Sequence, residues 1–288
     1  MEFLAPTSWD EALAVKAEHP EAEVIAGGTD VMVDLNFDRR RPAMLVDLTR
    51  IADLATWQID GSVLTIGAGV TYARIIDELS TLAPGLAIAS RTVGSPQIRN
   101  RGTIGGNLGS ASPAGDAHPP LLATKATVEV ASARGSRSVP VEKFFTGAKR
   151  HVLAPDELIA AVTVPVAAGP QQFAKVGTRN AMVIAVTSFA LALDPHAHAV
   201  GTGIGSAAPT PIRAEEAERV LAGELAAADQ WEHRRPLDDH LVDHFARLSA
   251  EAAAPIDDVR GTAAYRRHAL AVLARRTLSW AWSEYQRN

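Results

Sequence analysis

The chain has 288 residues, 47% of them hydrophobic and 21% charged, an ordinary globular balance far from the composition of disorder. A formal net charge of −5 offers no basic footprint for nucleic acid, and the short runs Arg39-Arg40-Arg41, Arg266-Arg267 and Arg275-Arg276 read as solvated faces diluted by nearby acids. With no cysteine, the chain by itself excludes a disulfide, a thiolate zinc site and an iron–sulfur cluster, so any electron carrier it holds is organic.

The start, MEFLAPTSWDEA, lacks the basic residues and apolar run of a signal peptide, so a cytoplasmic location is expected. Ser8-Trp9-Asp10-Glu11 is a capping-box pattern that predicts a helix over about 8–18. EVIAGG reads as a short buried strand entering a glycine turn, and MLVDLT and SVLTIGAGV as further strands. Thr71 is placed to cap a helix in which Ile75, Ile76 and Leu79 share a face. Residues 121–141 predict a helix end and a strand pair turning at Arg134-Gly135-Ser136. AAGP, Ala167 to Pro170, marks a joint. Beyond it come three β-like runs, 173–179, 183–193 and 199–205, then alanine-rich helices over about 214–225, 240–254 and 262–284. Strands followed by helices predict an α+β unit appended to a larger α/β one. The longest nearly apolar stretch, Ala181 to Leu193, is too short to span a bilayer.

Two glycine-rich stretches raise a functional question. In VIAGGTD, residues 24–30, glycines permit positive φ and let backbone N–H groups converge on an anion without a cationic side chain. A tight turn after a strand is the plainer reading of the same residues. RNRGTIGGNLGSASPAGD, residues 99–116, alternates flexible backbone with short donors and one carboxylate. That suits a ligand carrying anionic oxygens, hydroxyls and a flat ring, with Ile104 covering a ring face; a structural Ω-loop is the alternative. Gly201-Thr202-Gly203-Ile204-Gly205 lacks the helix that a dinucleotide fingerprint requires, since Pro209 and Pro211 follow. His240 and His244 share helical spacing but have no third ligand, and a metal site is not expected.

AGGTD, RGTIGGNLGSASPAGD, VPVEKFFTG…LAPDELI and FAKVGTRNAMVIA occur in an order and spacing that resemble the flavin-binding medium subunit of the molybdenum hydroxylases. That group includes xanthine dehydrogenase and aerobic carbon monoxide dehydrogenase. The likeness spans nearly the whole chain, including RGTAAYRRHALAVLARR at 260–276. It implies an α+β protein with a two-subdomain FAD-binding fold of the PCMH/VAO type over residues 1–168, divided near residue 55. A C-terminal domain of a three-stranded antiparallel sheet with helices is implied over 170–288. By resemblance, Ile25, Ala26, Gly27, Gly28, Thr29, Asp30 and Val31, with Thr103, Ile104, Gly105, Gly106 and Asn107, form two loops that hold the FAD pyrophosphate. Ser112 and Asp116, with Ala114 and Gly115 between them, bond cofactor hydroxyls, Ile104, Leu158 and Ile159 lie beside the isoalloxazine, and Lys175 reaches its polar edge. The implied partners are a small subunit with [2Fe-2S] clusters and a large subunit with the molybdenum cofactor, in a dimer of heterotrimers. Thr29-Asp30 favours the xanthine-dehydrogenase-like branch over the carbon monoxide dehydrogenase pattern, His-Ser. No lysine stands at Val183 to Val186, where some members carry one near the flavin. Two other classes share these residues: a self-sufficient flavin oxidase or dehydrogenase of the same fold, and a non-enzymatic interaction module.

Overall fold

Ser8 opens the first helix as its sequence predicts. In the computed structural model, which describes residues 1–287, the Ser8 hydroxyl accepts the Glu11 amide at 3.2 Å. The Glu11 carboxylate reaches back one residue further than in a standard capping box, to the Thr7 amide at 2.7 Å. The first unit runs β1 (Glu2–Leu4), α1 (Trp9–Glu18), β2 (Glu23–Ile25), α2 (Val31–Asn36) and β3 (Met44–Asp47). Its strands form a parallel sheet in the order β1-β3-β2, so the turn after β2 stands at the C-terminal edge of the sheet.

A hairpin of β4 (Trp57–Asp60) and β5 (Val63–Gly67) begins the second unit. Five helices follow: α3 (Tyr72–Glu78), α4 (Pro84–Arg91), α5 (Pro96–Arg99), α6 (Ile104–Ser110) and α7 (His118–Ala123). Then come β6 (Thr127–Ser132), β7 (Gly135–Pro140), α8 (Val141–Phe144), the hairpin β8 (Phe145–Gly147) and β9 (Arg150–His151), and β10 (Leu158–Pro165). Strand β10 inserts between β5 and β6, giving an antiparallel sheet in the order β4-β5-β10-β6-β7. Val46 from the first sheet shares one buried cluster with Leu64, Ile66, Val128 and Val162 of the second, so both sheets close on the same apolar core.

The C-terminal part pairs β11 (Gln171–Val176), β12 (Thr187–Asp194) and β13 (Ala199–Gly205) in an antiparallel sheet. Helices α9 (Glu215–Ala227), α10 (Gln230–His233), α11 (Asp239–Glu251) and α12 (Ala263–Tyr285) pack with it around a second core of residues such as Phe189, Leu221, Phe245, Leu270 and Leu278. The whole is α+β. Strand β12 starts four residues later than its apolar run, because Val183 turns its carbonyl to the Lys175 ammonium at 3.1 Å instead of to a neighbouring strand.

Two glycine patterns resolve in physical terms. Gly201, Gly203 and Gly205 alternate on one face of β13, where a Cβ on Gly201 or Gly203 would overlap a carbonyl oxygen of α7, that of Ala123 or Pro119. The GTGIG run thus lets a helix lie directly on a strand. The 99–116 stretch, in contrast to the irregular loop its composition suggests, contains helix α6. Thr103 caps it by accepting the Gly106 amide at 3.0 Å, and Ile104 and Leu108, one turn apart, are fully buried. Burial and capping offset a helix penalty of roughly 1 kcal/mol per glycine.

Candidate functional site

The two ribbons meet. A Cβ on Gly27 would overlap the carbonyl oxygen of Arg101, so only glycine lets the turn after β2 touch the turn before α6. Gly28 next to it has φ +76°. Among the described residues the amides of Gly27, Gly28, Thr29, Asp30 and Val31 donate to no protein acceptor. A run of five free N–H groups around a left-handed glycine has the donors that an anion-binding concavity requires.

The second ribbon does something else. Ile104 donates to Val70 O at 3.1 Å, Gly105 to Ala68 O at 2.9 Å, Gly106 to Thr103 Oγ1 at 3.0 Å and Asn107 to Thr103 O at 3.0 Å. Those amides are therefore committed within the protein. Gly105 is required for packing, because its Cβ would collide with Ala68. The resemblance implied that both ribbons grip a pyrophosphate. Free main-chain donors lie on the first, and the second supplies the exposed Gly106 and the side chain of Asn107.

Asp116 is 8% exposed. Its Oδ2 accepts from Thr92 Oγ1 at 3.2 Å and from Lys175 Nζ at 2.6 Å, while Oδ1 has no partner. Burial raises its pKa, and Lys175 and Thr92 pull it back only in part. Lys175 also donates to Thr92 O at 2.9 Å and Val183 O at 3.1 Å, so all three of its N–H groups are engaged. Lys175 therefore holds Asp116 in place, with all of its donors engaged within the protein. Ile104 is 0% and Leu158 2% exposed, so both side chains lie deep in the protein. Ile159, also buried, lies in the same core.

Ser112 accepts the Ala114 amide at 3.3 Å and keeps its own proton free. Gly115 is glycine because the His118 ring occupies the place of a Cβ. His118 is buried with Nε2 3.2 Å from Asn107 O, so that nitrogen carries the proton. Burial pushes its pKa down to about 4, which leaves it neutral near pH 7. Partial burial raises the Asp30 carboxyl, opposed by the nearby Lys149 and reinforced by Asp34. Lys149 comes from the β8–β9 turn, whose backbone is tied down by Lys149 N to Ala111 O at 3.0 Å. Sequence reasoning missed it, since 119 positions of chain separate Lys149 from Asp30 and no local pattern links them.

The buried atoms without partners here are Tyr72 Oη, Asn107 Oδ1, Asp116 Oδ1 and His118 Nδ1. Orphaned buried polar groups are costly and call for a ligand or water. Five free amides for an anion, carboxylate and amide oxygens for hydroxyls, and a glycine-lined approach fit a dinucleotide-like cofactor such as FAD. In an open groove elsewhere, on the C-terminal helices, Arg275 pairs with Asp243 and Arg247 with Glu251 at 3.3 Å. No helix among the described residues is long and apolar enough to cross a membrane.

Comparison with known proteins agrees with this chemistry. The family model for the FAD binding domain in molybdopterin dehydrogenase matches residues 1–167, and that for the CO dehydrogenase flavoprotein C-terminal domain matches residues 172–281. The xanthine dehydrogenase FAD-binding subunit of Escherichia coli O157:H7 is 31% identical over 285 residues, covering 94% of this chain and 92% of its own length. The nicotinate dehydrogenase FAD-subunit of Eubacterium barkeri is 29% identical over 273 residues, covering 90% and 92%. Among solved structures, carbon monoxide dehydrogenase from Hydrogenophaga pseudoflava matches with a TM-score of 0.89 at 27% identity, over 99% of this chain and 98% of its own. Quinoline 2-oxidoreductase from Pseudomonas putida 86 gives the same TM-score, 0.89, at 25% identity, also over 99% and 98%.

Proposed function

Since the chain belongs to the FAD-binding flavoprotein subunits of the molybdenum hydroxylases, a family of oxidoreductases, we propose that it relays electrons from [2Fe-2S] clusters of a small partner subunit to an external acceptor. In this reading a large partner carrying the molybdenum cofactor oxidises the organic substrate, and the three subunits assemble as a dimer of heterotrimers. The absence of cysteine supports the division of labour, because this chain cannot hold the clusters itself. Bound FAD supplies the redox chemistry, exchanging electrons singly or in pairs.

The protein's part is to bind and orient. The free amides of residues 27–31 hold the diphosphate, and the charge of Lys149 near Asp30 offsets that carboxylate's repulsion of it. Asp116 Oδ1 accepts a cofactor hydroxyl, Ser112 donates to a neighbouring oxygen, and Lys175 fixes the carboxylate that does the accepting. Thr29-Asp30 and the 31% identity to the xanthine dehydrogenase subunit support the xanthine-dehydrogenase-like branch; the nicotinate relative stands at 29%.

The observation that carries this reading is the unbroken run of five unpartnered amides beside a glycine contact. Its test is a titration of the purified full chain with FAD, followed by flavin fluorescence, with ADP and FMN as competitors. One FAD per chain is expected, displaced by ADP because the diphosphate provides the grip. A chain that binds no FAD overturns the reading. Purification from the native host is expected to bring along iron and molybdenum, and FAD-loaded protein recovered with neither metal overturns the electron relay.

A further inference from the structure

Asp116, Ser112 and the amide run account for the cofactor contacts above, and the Tyr72 hydroxyl enters none of them. Tyr72 is the first residue of α3 and is 3% exposed. Its amide donates to Gly102 O at 3.0 Å. Its ring carbons Cδ2 and Cε2 lie 3.3 and 3.4 Å from where a Cβ on Gly102 would stand. The ring is therefore pinned under the same turn, residues 101–102, that Gly27 touches from the first ribbon. Phenylalanine would fill that volume equally well, so the oxygen is the atom that packing does not explain.

That oxygen has no hydrogen-bond partner, and neither have Asp116 Oδ1 and Asn107 Oδ1. The two others are acceptors, whereas a tyrosine hydroxyl is a donor as well. A ligand hydroxyl can meet the need of either kind of atom, because it accepts one hydrogen bond and donates another. Burial, and then the charges of Asp116 and Asp30, push the Tyr72 phenol well above its ordinary pKa. The group therefore remains a protonated donor throughout the working pH range.

We propose that Tyr72 is a cofactor-binding residue whose hydroxyl donates to a hydroxyl oxygen of FAD. The inference rests on the reading of this chain as an FAD-binding subunit and adds a contact to it from a residue outside both glycine stretches. A purely structural tyrosine and a ligand-facing one behave oppositely when the oxygen is removed. In the flavin-free protein, Tyr72→Phe eliminates a buried polar atom that has nothing to bond, which favours the folded state. In the FAD complex the same change deletes a hydrogen bond and leaves a cofactor hydroxyl short of a donor.

The experiment compares the full wild-type chain with Tyr72→Phe, both stripped of flavin, by thermal unfolding and by FAD titration. The expected result is an unchanged or higher Tm without flavin, together with an FAD Kd raised about tenfold, equivalent to about 1.4 kcal/mol. An unchanged Kd in Tyr72→Phe, with wild type binding FAD, overturns the Tyr72 assignment and leaves the family reading standing. An FAD affinity and a flavin-free Tm that fall together overturn it as well, by showing the hydroxyl to be a structural partner. Failure of the wild type to bind FAD removes both.

Discussion

His118 shows how one side chain links the site to pH. It has no exposed surface, its ring lies 4.5 Å from that of Phe145, and it fills the space left by Gly115. Folding lowers its pKa from 6.5 to about 4 because the charged ring would lose its water. The unfolded chain therefore binds the extra proton first. The contribution to stability is complete above pH 6.5 and disappears as pH falls toward 4, amounting to about 3 kcal/mol over that window. His151, also lowered by burial, adds in the same direction. Urea unfolding of wild type and His118→Gln across pH 4–7 is expected to show a shallower pH dependence in the variant, with the His151 part retained. Parallel curves for the two proteins would mean that His118 is not held neutral by its surroundings.

At the scale of elements, the glycines separate into those that packing demands and those it does not. Gly203→Ala places a Cβ on the Pro119 carbonyl, forcing β13 away from α7, and is expected to destabilise by about 1–3 kcal/mol in urea unfolding. Because α7 begins two residues after Asp116, FAD affinity is expected to fall as well. Gly223→Ala is the opposite case: in α9 it has open space around it and is expected to stabilise by about 1 kcal/mol in the same assay. Legibility divides along similar lines. The caps at Ser8, Thr71 and Thr262, the β6–β7 pair and the helices after residue 214 are set by neighbours in sequence, and their signals are local. Helix α6 is not: its start is held by the carbonyls of Ala68 and Val70 and by contacts of its buried face, none of which a glycine-rich string announces. The motifs likewise located the glycine ribbons but left hidden which of their amides are free, since that depends on acceptors more than thirty residues away for Ile104 and Gly105. Lys149 beside Asp30 was hidden for the same reason.

For the whole molecule, the decisive contacts join the C-terminal sheet to the segment that carries the site. Ser206 N donates to Pro113 O at 2.9 Å, Gly85 N to Gln171 Oε1 at 3.2 Å, and Lys175 on β11 grips Asp116 across 59 positions of sequence. The last of these is an ion pair whose two side chains are each 9% exposed. Breaking such a pair from one side leaves an uncompensated buried charge and typically costs about 3–5 kcal/mol, whereas replacing both partners with apolar groups is often nearly neutral. Lys175→Met is therefore expected to destabilise strongly, because it strands Asp116 and frees the carbonyls of Thr92 and Val183. The double variant Lys175→Met/Asp116→Leu is expected to recover most of that loss in urea unfolding. FAD affinity is expected to behave differently, since the double variant has no carboxylate to accept a cofactor hydroxyl. Stability restored with binding still weak assigns two roles to one pair, a bolt between the sheet and the site and an acceptor within it. Restoration of both together would leave Asp116 with the structural role alone.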